Sequence, residues 1–195
     1  MPTIPSRKGV PKGDKRARTR ERLIEAAAHV IEEKGFERTS LEEVAARAGM
    51  TRGAIYGNFR DKDELFIAYL ETRWSPVMPR FKPGGTFKEQ MGLLGAAVVQ
   101  SATSSRAKAA GMMSFYLYVV THEEMRRQLL AKNAQIYAAM EQGMGAYFDP
   151  AQLPMAPGEL VRVLHAMTEG FVVACFLQPE VFSEELVVKA FEALA

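Results

Sequence analysis

The sequence has little of the material from which extracellular, catalytic or β-rich proteins are built. Its 195 residues include one cysteine, Cys175, which excludes an intrachain disulfide and fits a reducing, intracellular setting. It has no Asn-Gly or Asp-Gly hairpin turn and no sustained apolar–polar alternation, so strands are not predicted. No apolar run follows the basic N-terminus, so a signal peptide is not predicted. The most apolar window, Val163 to Leu177, is shorter than a bilayer crossing.

Signatures of catalysis and metal binding are equally scarce. The chain holds three histidines and lacks G-x-G-x-x-G, a Walker loop and G-x-S-x-G. The segment HEEMR, from His122 to Arg126, begins like the zinc motif H-E-x-x-H. Its second ligand position is Arg126, so two imidazoles do not share one helix face. We therefore predict no catalytic residue, no metal site and no cofactor.

Positive charge is concentrated at the N-terminus. The net charge of the whole chain is +2, but residues 1–22 hold eight Lys or Arg against two Asp or Glu. Residues 1–62 carry a net charge of +5 and residues 63–195 one of −3. Such a basic arm suggests a polyanionic partner, either nucleic acid or an anionic membrane surface. A solvated tail without any partner fits the charge pattern equally well.

The first third of the chain reads as a disordered arm followed by helices. Residues 1–17 are rich in Pro, Gly and cations and are predicted to be disordered. From Arg18 the apolar residues recur at helical spacing as far as Gly35, which predicts the end of the first helix. The apolar stripe of this helix consists of Leu23, Ala27, Val30 and Ile31.

Three further helices follow at once. Ser40 and Glu43 have the spacing of a capping box that opens a second, short helix, and Gly49 ends it. Thr51 is a predicted N-cap for a third helix. Asp61 begins a fourth helix. Downstream, the pattern predicts helices near 86–104, 107–119, 122–146, 157–178 and 183–194, so the fold class is all-α.

The second and third helices, joined by Ala-Gly-Met, have the form of a helix-turn-helix. In that motif the second helix lies in the DNA major groove with its first residues near base edges. Ile55 and Phe59, one turn apart, are better interpreted as core than as contact residues. Gly53 costs a helix stability and is typical of close approach to a large partner.

The segment GFERTSLEEVAARAGMTRGAIYGNFRDKDELF, residues 35–66, resembles the N-terminal domain of the TetR (tetracycline-repressor) family of bacterial regulators. The preceding TRERLIEAAAHVIEEKGF resembles that family's first helix. The resemblance implies an all-helical homodimeric repressor. It places a helix-turn-helix DNA-binding domain at 18–62 and a helical effector-binding and dimerisation domain at 63–195.

The DNA-contacting residues are expected from three sources. By position in the resemblance, bases or backbone are touched by Thr51, Arg52, Gly53, Tyr56 and Asn58, and phosphates by Ser40 and Lys62. The N-terminus of the second helix places Thr39 near a phosphate as well. Charge alone makes Arg18, with Arg16 and Arg20, a candidate for the minor groove or a phosphate. Where relatives commonly carry an aromatic residue and a His, this chain has Gly57 and Asn58.

Two further residue sets are expected in the C-terminal half. Methionines and aromatic residues suit an adaptable apolar pocket, although such residues are more often core. The candidate effector pocket consists of Trp74, Met91, Met112, Met113, Tyr116, Tyr137, Met140 and Phe171. The last two helices stand where relatives form a four-helix dimer interface. Its candidates are Val161, Leu164, Thr168, Val172, Leu186, Val187, Ala190 and Phe191.

Together these features predict a cytoplasmic, homodimeric DNA-binding repressor. The resemblance implies a pseudo-palindromic operator and release by a small apolar or amphipathic effector. An effector-dependent activator remains an alternative. An enzyme on a helical scaffold and a membrane-surface protein are alternatives from other classes. The arm lacks the apolar face that an interfacial helix needs.

Overall fold

The structure is a computed structural model that describes residues 12–73, 77–103 and 106–195. Within those ranges the chain forms α-helices and two short 3-10 helices and no strand, which confirms the all-α prediction. The α-helices are α1 (Lys12–Arg38), α2 (Leu41–Arg47), α3 (Arg52–Tyr56), α4 (Lys62–Arg73), α5 (Phe87–Thr103), α6 (Arg106–Thr121), α7 (Glu123–Gly143), α8 (Pro157–Leu177) and α9 (Glu184–Glu192). The 3-10 helices are Met144–Ala146 and Pro150–Gln152.

The chain divides into two compact units, Met1–Trp74 and Ser75–Ala195. The sequence predicted the domain boundary between residues 62 and 63, at the start of α4, whereas the first unit extends through α4. Helix α4 belongs to the first unit because its apolar residues complete the core of that unit. Phe66 lies with its ring edge against Phe36, at a centroid distance of 4.5 Å, and both side chains are buried.

Helix α1 begins earlier than the sequence predicted. Residues 12–17, which the sequence analysis placed in a disordered arm, are helical, and residues 1–11 lie outside the described part of the chain. The segment after Pro11 holds Lys, Arg and Ala, which favour helix, and no further proline. The hydroxyl of Thr19 donates to the carbonyl of Lys15 at 2.9 Å, one helical turn back.

The predicted stop at Gly35 is confirmed. Its backbone has φ 79° and ψ 168°, a conformation essentially restricted to glycine, and it interrupts the helical dihedrals of α1. The interruption turns Phe36 inward, where it is 1% exposed and packs against Phe66 and Tyr69.

The core of the N-terminal unit collects apolar residues from all four of its helices. The predicted stripe of α1 is buried, since Leu23, Ala27, Val30 and Ile31 are at most 1% exposed. Burial of each large apolar side chain contributes about 1.5–3 kcal/mol. The other helices and the turns add Phe36, Leu41, Val44, Ala45, Ile55, Phe59, Leu65, Phe66, Ala68 and Leu70.

The C-terminal unit is built around α5, which packs on α8 and α9. Gly95 on α5 allows the closest approach, because a Cβ atom there would lie 2.8 Å from the Cα atom of Val188 on α9. The core of this unit consists of Phe87, Met91, Leu94, Val98, Ala102, Met144, Phe148, Leu160, Val161, Cys175, Val187 and Phe191.

Helix α8 is long and apolar but only partly covered within one chain. An 18-residue window in it has a mean hydropathy of 1.6, and 22% of that window is buried. By length and composition α8 could cross a bilayer, but one such helix is weak evidence, because the core helix of a soluble protein passes the same test.

Candidate nucleic-acid interface

The first half of the motif, α2, begins at a polar cap. Ser40 is the N-cap, and its Oγ accepts a hydrogen bond from the backbone N–H of Glu43 at 3.2 Å. The carboxylate of Glu43 forms an ion pair with the Lys34 ammonium on α1. Glu33 and Arg47 form a second tie between the same two helices, a two-pronged ion pair at 2.7 and 2.6 Å. Helix α2 is therefore fixed on α1 by charge as well as by its buried residues.

The turn between α2 and α3 is held to α1 as well. Gly49 has φ 65°, the left-handed conformation that favours glycine at the end of a helix. The guanidinium of Arg22 on α1 donates to the carbonyl of Ala48 at 2.9 Å and so satisfies the C-terminal end of α2. Because a cation lies at the negative end of the helix dipole, this contact also stabilises α2 electrostatically.

Helix α3 has five residues and is stabilised from both ends. Thr51 is the N-cap, and its hydroxyl oxygen accepts from the N–H of Ala54 at 3.2 Å. Beyond the C-terminal end, Arg20 of α1 donates to the carbonyl of Asn58 at 3.0 Å, and its guanidinium lies 4.3 Å from the ring centroid of Phe59. Ile55 is 0% exposed, so the inner face of the helix packs in the core, as predicted.

The outer face of α3 presents Arg52, Gly53 and Tyr56. The Arg52 side chain is 76% exposed and Tyr56 is 44% exposed. Apart from its chain neighbours and the backbone of its own helix, a Cβ atom at Gly53 would meet only the Thr51 hydroxyl oxygen within 4 Å, at 3.9 Å. Gly57 has an ordinary helical φ of −74°, so its backbone conformation does not demand glycine.

Glu42 on α2 joins the two long side chains of this face. The Tyr56 hydroxyl donates to Glu42 Oε1 at 2.8 Å, and Arg52 Nη2 lies 3.5 Å from the same oxygen. The guanidinium of Arg52 lies 5.4 Å from the centroid of the Tyr56 ring. The hydrogen bond from Tyr56, a backbone N–H and the charge of Arg52 lower the pKa of Glu42. Sequence reasoning missed Glu42, because no local pattern links it to residues 10 and 14 positions later.

Two of the predicted DNA-contact residues turn their side chains towards the protein. Thr39 is 3% exposed, and its hydroxyl donates to the Gly35 carbonyl at 2.8 Å, so it closes the turn after α1. The side chain of Asn58 is turned back onto α3, where its amide donates to the Ala54 carbonyl at 2.8 Å. Neither side chain projects from the outer face, because the residues that end α1 and α3 must satisfy helix carbonyls.

The remaining predicted contacts have different surroundings. Ser40 is exposed at the start of α2, and Arg18 is exposed on α1. Lys62 donates from Nζ to the Glu37 carbonyl at 2.7 Å and lies 5.3 Å from the centroid of the Phe66 ring. Partial burial lowers the pKa of Lys62. Lys62 thus caps the end of α1, as Arg22 and Arg20 cap α2 and α3.

The residues predicted for the effector pocket have different surroundings in the described part of the chain. Met91 is 0% exposed in the core of the C-terminal unit, and Tyr137, Met140 and Phe171 pack against that core. Met112, Met113 and Tyr116 lie on α6 and are partly exposed, whereas Trp74 lies outside the described residues. A cavity of about 550 Å³ has none of the predicted residues in its wall. It is lined by Pro79, Arg80, Leu93, Ala96, Ala97, Val99, Gln100, Thr103 and Glu184.

The residues predicted for the dimer interface differ in their burial within one chain. Val161, Val187 and Phe191 are at most 4% exposed and belong to the core of one chain. Periodicity cannot separate burial within a chain from burial against a partner, because both need the same apolar spacing. Leu186 is 46% exposed, and the half-buried members of the predicted set are Leu164, Thr168, Val172 and Ala190.

The HEEMR segment has a structural role at the start of α7. His122 stacks on Tyr118 with ring centroids 3.8 Å apart, and Glu123 forms a two-pronged ion pair with Arg126 at 2.9 and 2.7 Å. Among the described residues no three His, Cys, Asp or Glu side chains cluster as metal ligands.

Comparison with known proteins agrees with this architecture. Residues 23–69 match the model of bacterial regulatory proteins, tetR family. Over 98 residues the chain is 31% identical to the uncharacterized HTH-type transcriptional regulator TtgW of Pseudomonas putida, and the match covers 50% of this chain and 73% of TtgW. The matches to the first three curated relatives cover 46%, 73% and 27% of their lengths, so most are matched over less than two thirds.

Two solved structures extend the likeness to most of the chain. One is NalD, the secondary repressor of the MexAB-OprM multidrug efflux pump in Pseudomonas aeruginosa, with 25% identity and a TM-score of 0.60 over 90% of this chain and 93% of NalD. The other is the SmeT–triclosan complex, with 25% identity and a TM-score of 0.63 over 90% of each chain. By its helix-turn-helix, its fold and these matches, the chain belongs to the tetR family of bacterial regulatory proteins.

Proposed function

We propose that this chain is a DNA-binding transcriptional regulator that acts as a homodimeric repressor and leaves its operator when a small molecule binds. The observation that carries the proposal is the outer face of α3. There Arg52 and Tyr56 are exposed beside Gly53, which has open space around it, while Ile55 on the opposite face is buried. A short helix suits insertion into the major groove when its outer face is rich in hydrogen-bond donors and its inner face is packed in the core.

The contacts with DNA would divide between reading and positioning. Arg52 would read a base edge, since bidentate Arg–guanine pairs are the commonest specific contact in the major groove. Tyr56 and the backbone at Thr51 and Gly53 would approach the bases and the sugar-phosphate backbone. Ser40, at the exposed start of α2, and Arg18 would meet phosphates, which fix register and orientation without reading sequence.

A second copy of this chain is the partner we propose for the exposed apolar surface of the C-terminal unit. Helix α8 has an apolar window that is 22% buried, and Leu177 and Leu186 are 60% and 46% exposed. Large apolar patches on a soluble chain mark interaction sites. A twofold dimer would present two copies of α3 to a pseudo-palindromic site.

The dimer can be tested with a pair of exposed leucines. Leu186→Arg on α9 should shift the protein from dimer to monomer in sedimentation analysis. Leu130→Arg on α7 alters a leucine that is 55% exposed and should leave the dimer intact. Equal behaviour of the two variants would place the interface elsewhere. Partition of the wild type into lipid vesicles would favour a membrane partner for α8.

The effector site belongs to the C-terminal unit in this proposal. The cavity beside α5 has about 550 Å³, within the range of small-molecule sites, and its wall mixes Leu93 and Ala97 with Arg80 and Glu184. Such a wall suits an amphipathic molecule. The SmeT structure holds triclosan in a protein of the same fold. By linkage, the effector must bind the DNA-free form more tightly.

A regulator of this kind acts on the chromosome, so we place it in the bacterial cytoplasm.

Selection of bound duplexes from a random pool tests the function directly. We expect a consensus with two related half-sites about one helical turn apart. Failure to enrich any sequence would contradict the proposal. A promoter carrying the selected site, placed upstream of a reporter, separates the two modes of regulation: lower expression with the protein present indicates a repressor, and higher expression an activator.

A further inference from the structure

An acidic side chain stands on the face that we propose to approach DNA. Glu42 lies in the first turn of α2, and its side chain is 49% exposed. A carboxylate near the phosphate backbone weakens binding to any duplex, because like charges repel and fewer counterions are released. A contribution of Glu42 to DNA binding must therefore offset this repulsion.

The contacts of Glu42 differ from those of the neighbouring acids. Glu33 and Glu43 pair with Arg47 and Lys34, and these pairs join α1 to α2. Glu42 instead contacts the two long exposed side chains of α3, one through the Tyr56 hydroxyl at 2.8 Å and one through Arg52 Nη2 at 3.5 Å. The same carboxylate oxygen accepts the hydrogen bond from Tyr56 and forms the ion pair with Arg52. Glu42 is thus the bridge between α2 and the outer face of α3.

The geometry leaves most of Arg52 available to a ligand. The contact with Glu42 involves one terminal nitrogen of the guanidinium, and the side chain is 76% exposed. A guanidinium has five N–H donors in a planar fork, and a guanine edge takes two of them at O6 and N7. Arg52 can therefore keep its contact with Glu42 while it pairs with a base.

We propose that Glu42 is a positioning residue for sequence discrimination. Its carboxylate holds Arg52 and Tyr56 in a reading arrangement before DNA arrives and disfavours the alternative in which Arg52 swings to a phosphate. Preorganisation strengthens the specific complex, because less side-chain freedom is lost on binding. Repulsion between the carboxylate and phosphates weakens the non-specific complex. The inference rests on the proposed DNA-binding function.

The effect belongs to binding rather than to folding. All three side chains are substantially exposed, and exposed ion pairs contribute little to stability. Glu42→Gln keeps an oxygen that can accept from the Tyr56 hydroxyl but removes the charge beside Arg52. Glu43→Gln is the matched control, since it removes one negative charge from the adjacent residue, whose ion pair points to Lys34.

The experiment starts from the site that the wild-type protein selects, and absence of a selected site would count against the proposed function instead. Affinities of wild type, Glu42→Gln and Glu43→Gln are measured at one salt concentration on the selected duplex and on a shuffled duplex. Glu42→Gln should lower the ratio of the two affinities about tenfold, within the range of one base contact. The ratio for Glu43→Gln should stay within about twofold of wild type.

A double-mutant cycle with Arg52→Ala shows whether Glu42 acts through Arg52. In the Arg52→Ala background, Glu42→Gln should no longer change the affinity ratio. Repeated selection with Glu42→Gln should lose base preference at one position of each half-site and keep it at the others. An equal loss of ratio in both backgrounds, an equal loss for Glu43→Gln, or a uniform loss of preference across the half-site would overturn the inference.

Discussion

The two units of this protein are stabilised by different means. In the N-terminal unit α2 and α3 have seven and five residues, below the roughly 12–15 residues at which isolated helices become marginally stable in water. In the C-terminal unit α5, α6, α7 and α8 have 17, 16, 21 and 21 residues. The long helices rest on burial of their apolar faces, whereas the short ones also need their ends satisfied by side chains from elsewhere.

Cations satisfy the C-terminal ends of the short helices α2 and α3 and also that of the longer α1. Arg22, Arg20 and Lys62 donate to carbonyls at the C-terminal ends of α2, α3 and α1, respectively. Each places a positive charge at the negative end of a helix dipole and fills a carbonyl that the helix itself leaves open. Part of the basic character of this unit is therefore structural. The difference between the units shows that charge in a DNA-binding domain cannot be assigned to DNA from composition alone.

The largest expected effect compares the two cores. Phe36→Ala and Phe191→Ala should each cost about 3–5 kcal/mol, because both rings are at most 1% exposed. Native-state hydrogen exchange should show that Phe36→Ala lowers protection mainly in residues 12–73 and Phe191→Ala mainly in 77–103 and 106–195. Equal loss of protection in both units after either change would mean that the units unfold together, and the comparison would fail.

The next effect concerns binding alone. Arg52→Ala should weaken specific operator binding by about 1–3 kcal/mol if its guanidinium reads a base. The melting temperature should hardly change, because the side chain is 76% exposed. Gel-shift titration measures the loss, and Arg126→Ala on α7 serves as the control for removing an exposed arginine. An unchanged affinity for Arg52→Ala would remove this residue from the reading surface.

A smaller effect tests the cation caps. Arg20→Ala should cost about 1–2 kcal/mol, since it removes a charge-assisted hydrogen bond to the Asn58 carbonyl and the stacking on Phe59. Arg162 of α8 donates to the Gly158 carbonyl within its own helix, at 2.7 Å. Arg162→Ala should therefore cost less than about 0.5 kcal/mol. Chemical denaturation measures both, and similar losses would show that the contact of Arg20 with the Asn58 carbonyl contributes no more than an exposed arginine contact within a helix.

The smallest effect compares one carboxylate from each unit. Burial tends to raise the pKa of Asp61, but the N–H of Glu64 and the guanidinium of Arg60 outweigh it and the pKa is lowered. Burial raises the pKa of Glu169 on α8. The stability that Asp61 contributes is present above its unfolded pKa and is lost as the pH falls through its folded pKa. The cost of charged Glu169 is present above its folded pKa and disappears as the pH falls through that value.

The opposite effects of the two carboxylates on stability can be measured as changes in melting temperature. Asp61→Asn should lower the melting temperature at pH 7, and Glu169→Gln should raise it. The Glu169→Gln difference should shrink as the pH falls through the raised pKa of Glu169, whereas the Asp61→Asn difference should persist until the pH falls below the usual range of an aspartate. Shifts of the same sign at pH 7 would contradict the opposite effects expected for the two carboxylates.

More of the N-terminal unit than of the C-terminal unit could be predicted from the sequence. The end of the helix at Gly35 and the N-caps at Ser40 and Thr51 can be recognised from patterns of a few residues, because the interactions that start or end a helix are local. The apolar stripe of α1 was likewise predicted. The inward orientation of the Thr39 and Asn58 side chains was not predicted. Each side chain donates to a carbonyl near the end of its helix, and no sequence pattern distinguishes this orientation from one that points to solvent.

The sequence by itself determined the all-α class, the order of the helices and the helix-turn-helix, because periodicity and caps act within a few turns. Tertiary structure decided what lies far apart in the chain. It brought Glu42 to Arg52 and Tyr56, set Arg20 beneath Phe59 and placed Phe191 in the core of one chain. A contact between helices depends on how the helices pack against each other. The spacing of apolar or charged residues along one helix does not show which residues of another helix they will contact.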